Sequence, residues 1–413
     1  MATQAHGEVT PEIPPVLIPT SEPPVPLPTF GRDAAGRVSA KTATSSTIAA
    51  NASAASAVIA KSKPKKKLIR RTDRDYSQIT RRSFQAAFVL LNVWIGAVFY
   101  FWVRQFEPGG GPTSLKRPAG VEGWLPIAAL MNLKYFVLTH RVPALHPAGM
   151  FLLISFLAVS FLFRKAFCSW ICPVGTLSEY LWQLGRRLFR RNFFPPRWLD
   201  VTLRGLKYLL LGFFVWAVSS MAVDELAAFM NSPYGVIADV KMLNFFRHLS
   251  ETGAIVVGIL ALASLFIQNF WCRYLCPYGA LLGITSLFSP ARIRRNPETC
   301  IDCEKCAKAC PSALPVDRLI TIKSAECTGC LECVAVCPAK NTLSLSLPKI
   351  PGLTPQPPKV PTWAMAAGIA VLFFGIVGFA KTAGYWDSHV PRAVYQQLVP
   401  HADQAHHPMP GEN

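Results

Sequence analysis

Long stretches without a charged residue alternate with polar and basic segments along this chain. Five apolar stretches approach the roughly 20 residues that a helix needs to cross a bilayer, and they lie at 84–103, 147–163, 208–223, 253–270 and 363–380. A further stretch at 124–139 is short and contains Lys134, which favours a re-entrant or interfacial segment. The pattern predicts a mostly α-helical membrane protein with about five transmembrane helices.

The remaining segments are polar or have unusual composition. The first 60 residues are rich in Pro, Ala, Ser and Thr, which predicts disorder, and the basic run that follows predicts an anchor at the membrane surface. The chain thus divides into a disordered, basic N-terminal segment at 1–77, a four-span membrane domain at 78–295, a soluble module at 296–347, a Pro-rich linker with the fifth span at 348–383, and a polar tail at 384–413.

The distribution of Lys and Arg among the loops predicts the orientation. The chain has 42 Lys and Arg against 23 Asp and Glu, a net charge of +19, and the basic residues flank the apolar stretches on one side. Positive loops stay in the cytoplasm, so this charge needs no nucleic-acid partner, and the expected surroundings are membrane lipid. We expect a multi-pass membrane protein. Its N-terminus and soluble module face the cytoplasm, and its tail is extracytoplasmic.

The soluble module is dominated by eight cysteines. Two runs, C-I-D-C-E-K-C-A-K-A-C-P and C-T-G-C-L-E-C-V-A-V-C-P, share the spacing C-x2-C-x2-C-x3-C-P. In bacterial ferredoxins with this spacing the fourth Cys of each run serves the other [4Fe–4S] cluster. The first set is therefore Cys300, Cys303, Cys306 and Cys337, and the second set is Cys327, Cys330, Cys333 and Cys310. A pair of zinc knuckles explains two identical four-Cys runs less well. The predicted module is an α+β two-cluster ferredoxin with short strands at 319–323 and 342–347.

The other four cysteines belong to an internal repeat. The segments F-C-S-W-I-C-P-V-G-T-L and W-C-R-Y-L-C-P-Y-G-A-L lie 104 residues apart, each at the end of an apolar stretch. Such repeats indicate two related helical halves. We expect each Cys pair to lie on one helix face, and Pro173 and Pro277 to end or kink the preceding helix. Two readings stay open. Small cysteines could let helices pack closely, or one shared metal or iron–sulfur site could be formed by Cys168, Cys172, Cys272 and Cys276.

Histidines give weaker signals. His140, His146 and His248 could be considered as haem ligands, but interfacial packing explains them better. A metal site in the tail could use His401, His406 and His407, but a solvated tail is the simpler interpretation. We find no catalytic residues in the sequence.

Taken together, these motifs make the chain resemble a known family. The entry R-R-S-F-Q, the segment P-A-G-V-E-G-W-L-P-I-A-A-L-M-N-L-K-Y, the two C-x3-C-P repeats and the double ferredoxin run are similar to the membrane polyferredoxins. That family includes NapH-type subunits and the C-terminal half of NosR-type proteins, and the resemblance covers roughly residues 78–390. It implies an inner-membrane electron-transfer protein with cytoplasmic clusters and redox partner proteins, and it leaves quinol open as a donor.

Three hypotheses for function follow. The first is an electron conduit between a cytoplasmic or quinol donor and a membrane or periplasmic partner, as an electron-transfer subunit of an oxidoreductase system or a quinol dehydrogenase. The second is an accessory protein for metal reduction or metalloenzyme maturation, and the third is a redox sensor.

Overall fold

The computed structural model describes residues 68–72, 75–111, 114–190, 193, 195–349 and 357–407. The α-helices are α1 Ser77–Arg104, α2 Pro126–Thr139, α3 Pro147–Phe163, α4 Phe167–Trp170, α5 Pro173–Phe189, α6 Arg197–Ser220, α7 Val223–Asn231, α8 Pro233–Val236, α9 Ala238–Arg247, α10 Glu251–Phe266, α11 Pro277–Leu287, α12 Lys305–Lys308, α13 Glu332–Ala335, α14 Thr362–Thr382 and α15 Arg392–Leu398. Other elements are the 3-10 helices Ala119–Trp124 and Val399–Gln404, the π-helix Trp271–Leu275 and the strands β1 Arg292–Arg295 and β2 Leu343–Ser346.

Each predicted apolar stretch falls within or overlaps a helix, but the number of clear spans is smaller than five. In the part of the chain that the structure describes, three helices are long and apolar enough to cross a membrane, namely α1, α6 from Trp198, and α14. A fourth span exists if α9 and α10, which are bent by 81° at their junction, are taken together. The short stretch at 124–139 is α2, an apolar helix of 14 residues.

Helix α3 differs from the others because it is surrounded by protein. It has 17 residues and packs against α14, α2 and α11. Most of its residues on all sides are buried, including Leu153 and Val159. A helix that is apolar all round is buried in a protein interior or spans a membrane. At 1.5 Å per residue it spans about 26 Å, slightly less than the hydrocarbon core of a bilayer.

The two predicted strands of the module have different outcomes. The segment at 342–347 is confirmed as β2, which pairs antiparallel with β1 so that Ile293 faces Leu345. The strand at 319–323 was a wrong prediction, because Thr321 makes only an isolated bridge to Arg294 and no continuous ladder. The sequence R-I-R-R of β1 carries too many charges to resemble a strand, but its one apolar side chain, Ile293, is 2% exposed.

The segment before α1 contributes to the soluble module. The predicted disorder at 1–60 lies outside the described residues, and most of the basic run does too. At the end of that run, Arg70 forms a bridge with Ala339, and the Arg71 amide donates to the Pro338 carbonyl at 2.9 Å. This part of the predicted 1–77 segment is therefore ordered against the module rather than disordered.

A cap covers the end of α1 that is far from the module. This distal cap comprises the 3-10 helix Ala119–Trp124, α7, α8, α9, α15 and the 3-10 helix Val399–Gln404, and an apolar cluster holds it together. Tyr395 of α15 is 5% exposed and packs edge-on against Trp102 of α1. The expected solvated tail is thus wrong for 392–404, because its apolar side chains are buried in the cap.

Buried charges fix the cap internally. Arg117 contacts both Glu122 and Asp239 at 2.7 Å, and both carboxylates are fully buried. His146 Nδ1 lies 3.4 Å from Glu122 Oε1, and its Nε2 is 2.9 Å from the Gly235 carbonyl oxygen. Burial alone would lower the pKa of His146, but Glu122 and then Asp239 outweigh it and raise this pKa above its ordinary value. Two carboxylates facing one Arg carry a net negative charge that a protonated His146 neutralises.

The cap should therefore lose stability as the pH rises. A folded-state pKa above the unfolded value of about 6.5 means that the stabilisation is complete below that pH and disappears as pH rises through the higher folded value. Thermal unfolding of detergent-solubilised protein should show this loss, and His146→Gln should flatten the pH profile. His248→Gln, at an exposed histidine, is the matched control and should leave the profile unchanged. An equal effect of both variants would contradict this assignment.

Candidate iron–sulfur sites

The first predicted ligand set surrounds one small cavity. Cys300, Cys303, Cys306 and Cys337 all line it. Cys303 is exposed, while Cys300 and Cys306 are buried. Helix α12 follows directly on Cys303, and left-handed backbone at Glu304 turns the chain into it. The fourth cysteine comes from the other run, as the ferredoxin spacing predicts.

The second predicted set surrounds another small cavity. Its lining includes Cys310, Cys327, Cys330 and Cys333, again three from one run and one from the other. The local geometry repeats, because α13 follows Cys330 after left-handed backbone at Leu331. The structure thus groups the eight cysteines in the two predicted sets, while their role as ligands stays a prediction.

The C-x3-C-P cysteines are held differently from the expectation. Cys168 lies in α4, but Cys172 caps the N-terminus of α5 and its sulfur accepts from the Gly175 amide at 3.4 Å. In the second copy Cys276 caps α11 in the same way, accepting from Gly279 at 3.2 Å. The two cysteines of a pair therefore do not share one helix face.

The prolines of the repeat have a second role besides the predicted one. The preceding helical segments end at Trp170 and Leu275, before each proline, as predicted. Pro173 and Pro277 also occupy the first turn of the following helix, where the missing N–H has no cost. Gly175 is required beside them, since a Cβ there would lie 2.1 Å from the Cys168 carbonyl oxygen.

All four C-x3-C-P cysteines line one large cavity of about 730 Å³. Burial raises the pKa of the Cys168 thiol to about 12 and that of Cys172 to about 11. Burial also raises the pKa of Cys272 well above its ordinary value, and the other three thiols add to the rise. The thiols are thus close enough to influence one another, and a metal binding here would have to displace their protons.

Charged side chains surround this cavity although they are buried. Glu326 lies 2.6 Å from Lys207 and 3.7 Å from Lys165. Burial would raise the pKa of Glu326, but the two lysines outweigh burial and hold it below its ordinary value. Asp200 similarly pairs with Arg273 and Arg204. The charged residues that line the cavity itself are Arg81, Lys165, Arg273 and Lys381 against Glu179 and Glu326, which leaves an excess of positive charge beside the four thiols.

Sequence reasoning missed these charged residues. Lys165 was one of the basic residues used to assign the cytoplasmic side, and Lys207 stands at the edge of an apolar stretch. The one available signal was Glu326, an acidic residue directly before Cys327. Within the described part of the chain, no three His, Cys, Asp or Glu approach closely enough to hold a single metal ion. Each four-cysteine set surrounds a cavity instead.

The histidine candidates do not form a cofactor site. His140, His248, His401, His406 and His407 are exposed. His407 packs against Phe229 and Tyr234. His146 is buried in the ion network of the distal cap.

Comparisons with known proteins match both kinds of motif. A 4Fe-4S binding domain matches twice, at residues 145–192 and 251–296, so the same family model recognises both copies of the repeat. A 4Fe-4S dicluster domain matches residues 291–345. No solved structure matches the chain.

Curated relatives extend the match to most of the chain. Putative electron transport protein YccM of Escherichia coli is 50% identical over 79% of this chain and 91% of its own length. Ferredoxin-type protein NapH of Haemophilus influenzae is 27% identical over 51% of this chain and 72% of its own length. Regulatory protein NosR of Pseudomonas aeruginosa is 34% identical over 45% of this chain, and the match spans only 25% of NosR. The chain therefore belongs to the YccM family within the membrane polyferredoxin-like 4Fe-4S proteins.

Proposed function

We propose that this protein is a multi-pass carrier that passes electrons between a cytoplasmic or quinol donor and a membrane or periplasmic partner. By family it is an iron–sulfur electron-transport protein. The observation that supports the proposal best is the arrangement of three cysteine-lined cavities, because Cys330 lies in the walls of both the second cavity and the large one. Electrons could then move from site to site within one chain.

The eight ferredoxin cysteines would hold two [4Fe–4S] clusters, which supply one-electron redox chemistry when bound. The donor sets fit these clusters, since each cavity is lined by four sulfurs from both runs. The protein contributes apolar walls such as Leu314 and Val316, which are buried beside the second set and exclude water. Burial of this kind is one of the features that set a cluster potential.

The third cavity would hold a further iron–sulfur centre, or a single metal ion if the four cysteines move closer together on binding. Four thiolates around a divalent metal or a [4Fe–4S] cluster carry net negative charge, and the surplus cations that line the cavity provide the opposite charge. The N-termini of α5 and α11 begin at Cys172 and Cys276, and helix N-termini favour negative charge. An anionic site is therefore well matched to its surroundings.

Part of the wall of the large cavity suits an apolar donor. Trp94, Trp124 and Phe374 line it, and Trp94 is exposed at the protein surface. Ligand sites of this size are typically apolar and aromatic, with a few polar groups. A quinol could enter here from the bilayer of the bacterial inner membrane.

The cofactor content is the first test. Anaerobically purified protein should contain about eight iron atoms in the ferredoxin module, and reduced samples should show interacting [4Fe–4S] signals in electron paramagnetic resonance spectra. A quinol analogue should reduce the clusters reversibly in membranes. Iron near zero with stoichiometric zinc would refute the cluster assignment.

The five-span arrangement makes a second prediction. A reporter fused after Leu347 should be cytoplasmic and one fused at Asn413 should be extracytoplasmic, because positively charged loops stay inside. Alkaline phosphatase and green fluorescent protein fusions measure this. If both reporters were on the same side of the membrane, the chain between these two points would not contain the single predicted span.

The shared C-x3-C-P site makes a third prediction. Cys168→Ser should lose the same metal as Cys272→Ser, and the double variant should lose no more, because ligands of one site act as a unit. Metal analysis of the purified variants measures this. Cys303→Ser is the cross-control: it should disturb the ferredoxin iron and leave the third site's metal intact. If the effects of the first two changes simply added in the double variant, the two cysteine pairs would act separately, as helix-packing residues.

A further inference from the structure

In the two copies of the C-x3-C-P repeat, the residues that lie between the two cysteines make different contacts. In the second copy, Arg273 and Tyr274 both turn to Asp200 of α6, with the Tyr274 hydroxyl 2.6 Å from Asp200 Oδ1. The equivalent residues of the first copy, Ser169 and Trp170, turn to the ferredoxin module instead. The two copies are therefore alike in their cysteines. They differ in which part of the protein the residues between those cysteines contact.

The first copy contacts the ligand loop of the second set. Ser169 Oγ donates to the Thr328 carbonyl oxygen at 2.6 Å, and Trp170 Nε1 donates to the Gly329 carbonyl oxygen at 3.2 Å. Both acceptors lie between Cys327 and Cys330. Trp170 is fully buried, so its hydrogen bond has no competition from water.

The same loop is fixed from two other directions. Gln78 of α1 donates to the Cys330 carbonyl oxygen at 3.0 Å. Gly329 has a φ of +61°, and a Cβ there would lie 3.0 Å from the Phe163 carbonyl oxygen at the end of α3. Gln85 in turn holds Ser169 through its carbonyl oxygen, also at 3.0 Å. The loop between Cys327 and Cys330 is thus clamped against the membrane domain.

The two ferredoxin sets differ in their position relative to that domain. Cys330, with Pro311, Ser312 and Thr328, lines both the second cavity and the large cavity of the C-x3-C-P cysteines. Among the residues that the structure describes, none that lines the first cavity also lines the large one. The first set instead includes Cys303, which is exposed to solvent.

We propose that the second set is the inner carrier and the first set the outer one, with Ser169 and Trp170 as the positioning residues that couple the inner carrier to the C-x3-C-P site. This inference rests on the proposed function. An electron passing between the two sites oxidises the centre it leaves by one electron and reduces the centre it enters by one. No bond forms or breaks, and no proton moves. A soluble redox partner would exchange electrons at the Cys303 side.

The test uses full-length protein in lipid nanodiscs, with dithionite as the aqueous reductant. Ser169→Ala and Trp170→Phe each remove one hydrogen-bond donor to the ligand loop. Tyr274→Phe is the matched control, because it removes the equivalent donor from the second copy. Rapid-freeze electron paramagnetic resonance should show wild-type reduction of the ferredoxin clusters in all variants. Reduction of the C-x3-C-P centre should slow several-fold in the first two variants only.

A second measurement reports on position without electron flow. An iron chelator should remove one of the two ferredoxin clusters faster from Ser169→Ala and Trp170→Phe than from wild type or Tyr274→Phe, because the loop is less firmly held. The spin interaction between the cubes should disappear as that cluster is lost.

Two results would overturn the inference, and they are distinguishable. Unchanged reduction and chelation in both variants, with a redox-active C-x3-C-P centre in the wild type, would refute the coupling and leave the proposed function intact. A wild-type protein with no redox-active centre at those cysteines would refute the redox role of the third site. It would also refute the proposed coupling between the second set and the C-x3-C-P site.

Discussion

The fully buried guanidinium of Arg81 joins the membrane domain to the ferredoxin module. It makes two hydrogen bonds of 2.7 Å to Glu179 of α5 and a third, of 2.8 Å, to Glu332 of α13. Removing one partner of a buried ion pair typically costs about 3–5 kcal/mol, because the remaining charge is left without compensation. This interaction therefore fixes the distance between the two parts. Gln85, which also donates to Glu179, extends the same network to the first C-x3-C-P segment.

Polar networks occupy both ends of the helical domain. At one end Arg81, Lys207 and Asp200 are paired around the cysteine sites, and at the other Arg117 and His146 are paired within the distal cap. Between them lies an apolar interior centred on α3. Charges are stable in such places only when they are paired, so each network specifies one arrangement of the elements that meet there. The cysteine sites consequently sit on a rigid base, which suits groups that must keep a fixed separation.

The sequence predicted the structure best where a residue type has one main structural role. Apolar stretches predicted helices, and the spacing of Cys300 to Cys337 predicted which thiols would face one another. Sequence patterns failed where tertiary packing decides. The apolar composition of α3 predicted a helix, but it did not predict that α2, α11 and α14 would bury most of its residues. Strand β1 was not predicted because its sequence is mostly charged. Its one apolar side chain, Ile293, is buried in the core. The carboxylate partners of Lys207 and Arg81 lie more than 90 residues away along the chain, which no local pattern can reveal.

The pairing of Arg70 with Ala339 bears on how this protein is made. Arg71, beside it, also donates to the Val334 carbonyl oxygen across 263 residues of sequence. Closing the module over this segment must await synthesis of all the intervening membrane helices, and contacts so distant in sequence form slowly. A ferredoxin fragment excised at residue 291 would lack this segment and the clamp from α1 and α4. The smallest autonomous folding unit is thus larger than the cysteine motifs suggest.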